Sequence, residues 1–108
     1  AEIKALESGL ELVTKARKQG REKKLSEALQ STKRALKILP NEHSVWRLQA
    51  ELLVANQNPQ EAVQSALRVR ELNPSDPISE LLLGYCYDAA GDQGNADAAR
   101  YRAKRLMR

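Results

Sequence analysis

Small apolar residues set a period along this 108-residue chain. Ala28, Ala62 and Ala96 stand 34 residues apart, as do Ala16, Ala50 and Gly84, and again Ala35, Val69 and Ala103. Proline keeps the same interval, with Pro40 closing the run LKILP and Pro74 the run RELNP. Self-similarity at a period of roughly 20–50 residues is the mark of a stacked-repeat architecture. The frame that follows is a leader at 1–8 and repeats at 9–42, 43–76 and 77–108. No segment alternates Val, Ile and Thr as a half-buried strand does. Good helix formers (Ala, Leu, Glu, Lys, Arg and Gln) dominate instead. The pattern predicts an all-α chain.

Two helices fit each repeat. In the second, the first helix is expected at about 42–56, around SVWRLQAELLVA, and the second at 59–72. The breaks have physical causes. Asn58 is a candidate cap, Pro59 suits a first helical position and Glu61 completes a capping box. Asp76-Pro77 starts the next helix in the same way. Gly91 suits a left-handed C-terminal cap, and Asp92 can cap the last helix. Lys24, the counterpart of Asn58 and Asp92, is a poor cap, so that helix start is expected to be frayed or displaced. Stacked helix pairs need small residues where backbones approach and large ones between, a role assigned to Trp46, Leu53, Leu83 and Tyr87. Trp46 is expected to be largely buried between repeats one and two.

On these residues the chain resembles the tetratricopeptide repeat. That family favours a bulky residue at position 4, Leu at 7, small residues at 8, 20 and 27, aromatics at 11 and 24, and Pro at 32. Trp46, Ala50, Ala62 and Pro74 match in the second repeat; Leu83, Gly84, Tyr87, Ala96 and Ala103 match in the third. The first offers Leu12, Ala16, Ala28, Ala35 and Pro40, while Lys15, Gln19, Glu80 and Arg100 depart from the pattern. The resemblance implies a right-handed α-solenoid of three helix-turn-helix repeats that binds other proteins.

The family's first helices line a concave groove through positions 2, 5, 9, 12 and 13. Carried across, the resemblance assigns Leu10, Val13, Arg17, Gly20 and Arg21 from repeat one. It adds Ser44, Arg47, Glu51, Val54 and Ala55 from repeat two, and Ile78, Leu81, Tyr85, Asp88 and Ala89 from repeat three. Such a face suits a peptide or an amphipathic helix. Members that clamp acidic chaperone tails carry Lys, Asn and Arg where this chain has Val13, Arg17, Leu48, Ile78 and Leu82. That clamp is absent.

Composition narrows the chemistry. No apolar stretch approaches the ~20 residues of a membrane span. The opening AEIKALESGL lacks the apolar core of a secretory signal. Met107 is the only methionine, and the numbering is expected to begin at a processing or cleavage boundary. One cysteine, Cys86, leaves no internal disulfide. With His43 as the only imidazole, expected at an exposed helix start, Cys86 reads as a buried inert thiol. Glu7/Glu11 and Asp88/Asp92 are weak metal signals. GDQG at 91–94 lacks the Lys-Ser/Thr of a phosphate loop and reads as a turn. The expectation is a non-catalytic protein without cofactor.

Charge is uneven. Residues 1–42 carry ten Lys and Arg against six Asp and Glu. Basic residues cluster at 15–24 and 100–108, so a basic module binding nucleic acid or an anionic surface is the alternative function. The last helix is expected to leave some of Ala99, Tyr101, Ala103, Leu106 and Met107 without a neighbour. Self-association through that end would cover them.

Overall fold

The computed structural model describes residues 2–108, with Ala1, the first residue of the expected leader, outside them. Six helices follow in order: α1 (Glu2–Arg21), α2 (Leu25–Ile38), α3 (His43–Ala55), α4 (Pro59–Leu72), α5 (Pro77–Ala89) and α6 (Gln93–Leu106). Among the described residues there is no strand, and the all-α expectation holds. The 34-residue interval reappears in the element bounds. Helices α2, α4 and α6 have 14 residues each and begin at 25, 59 and 93, while α1, α3 and α5 end at 21, 55 and 89. The expected leader is not a separate element, since α1 runs through it without a break.

The turns after α1, α3 and α5 show why the register is so regular. Lys23 and Gln57 each take φ 60° and Gly91 takes φ 77°, one left-handed residue per turn at the same interval. In each turn the next residue donates its backbone N–H five positions back: Lys24 to Gln19 (2.8 Å), Asn58 to Leu53 (2.8 Å) and Asp92 to Tyr87 (2.9 Å). These bonds close the helix C-terminus in the manner of a Schellman motif. Only the third turn has the glycine that the geometry favours.

The start of α2 is therefore neither frayed nor displaced. Lys24 makes no side-chain cap, yet α2 begins in register because the backbone of the turn sets the reversal. The capping box at Asn58 also fails to form. Its N–H is taken by Leu53, so Glu61 accepts instead from the Asn58 side-chain amide, at 2.6 Å. Asp76 and Asp92 do cap, accepting from the backbone N–H of Ile78 and Asn95. Of the segment GDQG, Gly91 and Asp92 form the turn and Gln93 and Gly94 begin α6.

All nine residues of the three small-residue series are buried. A Cβ at Gly84 would lie 3.3 Å from Cγ of Arg100 and 3.5 Å from the Ala96 carbonyl, so α6 approaches α5 closely here and a methyl group would fit only if the Arg100 side chain gave by a few tenths of an ångström. Contacts run mainly between consecutive helices, with lighter ones between α1 and α3 and between α3 and α5. The molecule is accordingly elongated, 42 × 27 × 18 Å.

The core has two parts. The larger runs from Ala28 and Leu29 of α2 through Leu53, Val63 and Val69 to Leu83, Cys86 and Ala99. The smaller holds Val13, Ala35, Leu36 and Val45. Trp46 and Leu48 pack against both. Trp46 is partly buried where the two clusters meet, and its indole N–H donates to the Pro40 carbonyl at 2.9 Å. Buried Gln49 ties three helices together. Its carbonyl oxygen accepts from the Thr32 hydroxyl of α2 (3.3 Å) and its amide donates to Ser65 of α4 (3.1 Å).

The last helix leaves some of its apolar residues uncovered, as expected. Ala99 and Ala103 are fully buried, leaving Tyr101, Leu106 and Met107 exposed. Tyr101 and Leu106 are five residues apart, about 140° around a helix. They do not form one apolar stripe.

Candidate functional site

Helices α1, α3 and α5 share one side of the molecule, and three connected depressions lie along it. Arg17, Ser44, Arg47, Leu48 and Glu51 surround one of about 230 Å³. A second, of about 500 Å³, is lined by Arg47, Glu51, Ile78, Leu81, Leu82 and Tyr85. A third, of about 350 Å³, includes Arg17, Gly20, Arg21, Leu48, Glu51 and Ala55. Because Glu51 lines all three, they form one trough across three helices.

The local sequence explains its two ends. On α5, Ile78, Leu81 and Tyr85 are spaced three and four apart, which places them on one helical face. Leu83 and Cys86 turn into the core, and Leu82, between the two faces, joins the core while its edge lines the trough. The first three are consequently 44%, 40% and 52% exposed, a row of large apolar groups with nothing over it. At the other end stand Arg17 and Arg21, which have no carboxylate partner among the described residues. Between them, Arg47 Nε pairs with Glu51 Oε1 at 3.3 Å, both side chains about half exposed.

Not every residue assigned to this face reaches it. Val13 is 9% exposed and belongs to the smaller core cluster. Val54 is half-buried and packs against the larger one. Leu10 is exposed but lines none of these depressions, its neighbours on α1 being Leu6 and Ile3, also exposed. Asp88 is bound by Arg100, with Nη1 2.6 Å from Oδ2, and points its charge at α6. Ala89 is exposed at the end of α5. Leu48 and Leu82 line the trough and were assigned no role beyond showing the clamp's absence.

Two of the four departures from the repeat pattern, Glu80 and Arg100, are paired across helices. The Glu80 side chain is 4% exposed, with Oε2 2.9 Å from Arg102 Nε and Oε1 3.7 Å from Arg70 Nη1. Arg100 lies under Gly84 and holds Asp88 and Asp97. Hydrogen bonds from Arg100 and Gln93 draw the Asp97 carboxyl below its ordinary range.

His43 is exposed at the first position of α3. Burial, with Glu51 nearby, pushes the Cys86 thiol up to about 11, which leaves it protonated at neutral pH. Among the described residues no three His, Cys, Asp or Glu side chains gather as a metal site would need. No described helix is long and apolar enough to cross a membrane.

No family model matches the chain, and no curated protein matches it.

Proposed function

We propose that this chain is a three-repeat helical solenoid of the tetratricopeptide kind, and that it acts as a non-catalytic protein-binding module. The α1–α3–α5 face takes a peptide or an amphipathic helix from the partner. The observation that carries this reading is the trough itself. It runs over three helices that recur at one interval, and its α5 wall is a row of exposed Ile78, Leu81 and Tyr85. An uncovered apolar row of this kind marks an interaction site more often than an ordinary surface. The protonated Cys86 and solvent-facing His43 give no nucleophile-base pair to support catalysis.

The alternative, a basic module for nucleic acid or an anionic surface, has less behind it. Of the cationic cluster at 100–108, Arg100 and Arg102 are already engaged by carboxylates. Self-association through α6 has only the scattered Tyr101, Leu106 and Met107 to draw on.

Selection of displayed random peptides on the immobilised 108-residue chain tests the main reading. Peptides should be enriched, and their binding should be lost in the double variant Leu81→Glu, Tyr85→Ala while its circular dichroism stays that of the parent. Absence of enrichment, or enrichment indifferent to the double variant, refutes it.

A further inference from the structure

The trough is not uniform, and its asymmetry points to the chemistry of what fills it. This step rests on the docking role proposed above. One end is cationic, with Arg17 and Arg21 unpaired among the described residues; the other is the apolar row of Ile78, Leu81 and Tyr85; the Arg47–Glu51 pair divides them. We infer that the occupant is an acidic–apolar protein segment, which seats its apolar anchor on α5 and its carboxylates against Arg17 and Arg47.

Both halves of that complement are needed. An apolar partner alone would leave Arg17 facing it and would desolvate Arg47 with no gain. A purely acidic partner would leave the α5 row in contact with water. A basic segment would meet three guanidiniums, those of Arg17, Arg21 and Arg47, against a single carboxylate. The Arg47–Glu51 pair is solvent-exposed at both ends, and such pairs contribute little on their own. An arriving carboxylate can therefore take Arg47 from Glu51 at small cost, which makes Glu51 a competitor of the ligand for the same guanidinium. Removing its charge should strengthen binding, an outcome that damage to the fold would not produce.

The test takes the enriched peptides one step further. Asp and Glu should be over-represented beside the apolar anchors. One enriched peptide, labelled with a fluorophore, should bind about tenfold more weakly to Arg17→Ala, Arg47→Ala. Its Glu→Gln counterpart should lose the same against the parent chain and little more against the variant, since the two changes remove one interaction. Glu51→Gln should bind the acidic peptide more tightly. In the charge-reversed variant Arg17→Glu, Arg47→Glu the selection should turn to basic peptides.

Enriched peptides that are apolar, show no acidic preference and ignore the arginine variants would overturn this inference while leaving the docking role intact. Failure to enrich any peptide would overturn the docking role itself. A concentration-dependent dimer in sedimentation, dispersed by Leu81→Glu, would give the face to a second copy of the chain. Tighter binding of a labelled single-stranded RNA, lost in Arg17→Ala, Arg47→Ala, would give it to nucleic acid. Either result overturns the proposal.

Discussion

The three left-handed turn residues allow a test in which almost nothing changes except backbone preference. Gly91 adopts φ 77°, and a Cβ built there meets no atom within 4 Å. Gly91→Ala therefore introduces no clash, and its whole effect is the cost of holding an L-residue in the left-handed region. That cost is roughly 1–2 kcal/mol, offset in part by the smaller entropy that Ala loses on folding, about 0.5–1 kcal/mol. The expected result is a destabilisation of about 1 kcal/mol. The reverse change is available in the same molecule. Gln57 holds φ 60° at the matching place in the turn between α3 and α4, and its side chain is exposed. Gln57→Gly should stabilise the fold by a similar amount. Urea denaturation followed by far-ultraviolet circular dichroism measures both. With a slope of about 2 kcal/mol per molar, each midpoint should move by about 0.5 M, downward for Gly91→Ala and upward for Gln57→Gly. If Gly91→Ala is neutral, or if Gln57→Gly destabilises, the turns do not hold the left-handed geometry described above.

Other consequences are open to direct measurement. Gln49→Ala removes the tie between Thr32 and Ser65 and leaves a gap at a buried site, so a loss of about 1–3 kcal/mol is expected in the same urea experiment; a neutral result would show that the tie does not matter. Cys86 should resist iodoacetamide in the native chain at pH 8 and react once the chain is unfolded, because burial holds the thiol protonated up to about pH 11; rapid native alkylation would contradict its burial. Asp97 should titrate below the ordinary carboxylate range by NMR and move up in Arg100→Gln. Its folded pKa is depressed, so the associated stabilisation is complete above the unfolded value of about 4 and is lost as pH falls through the folded one.

The repeat was legible in the chain because close helix packing admits only small side chains at fixed offsets. Nine positions carried that signal, and all nine are buried. Helix ends were legible where a carboxylate caps, at Asp76 and Asp92. At Lys24 the start was wrongly expected to fray, and at Asn58 the start at Pro59 was placed rightly but its side-chain cap was not; in both turns backbone bonds replace the cap. Nothing in the residue types Lys23 and Gln57 announces a left-handed conformation; only their alignment with Gly91 at the 34-residue interval could have suggested it. Glu80 and Arg100 looked like defects in the pattern because their partners stand 22 and 12 residues away, Arg102 and Asp88, on a different helix. The site divided in the same way. The groove positions carried over from the resemblance included the exposed α5 row, but whether Val13 faced solvent depended on how α1 leans on α2 and α3, which a linear pattern does not encode.

The core's division into two clusters, bridged at Trp46 and Leu48, bears on how the molecule breathes. Regions held by few buried groups open on their own, at a free energy below that of global unfolding. The smaller cluster holds Val13 of α1 against Ala35, Leu36 and Val45, with Leu12 at its edge, and Gly9 and Ala16 are the other buried residues of α1. Amide protons of α1 should thus exchange ahead of those in α4 and α5, in a sub-global opening that leaves the larger cluster closed. Arg17 travels with α1, so each opening takes the cationic half of the trough away from the apolar half. A partner that spans both halves binds only the closed form, and its presence should slow exchange most in the helix that otherwise opens first.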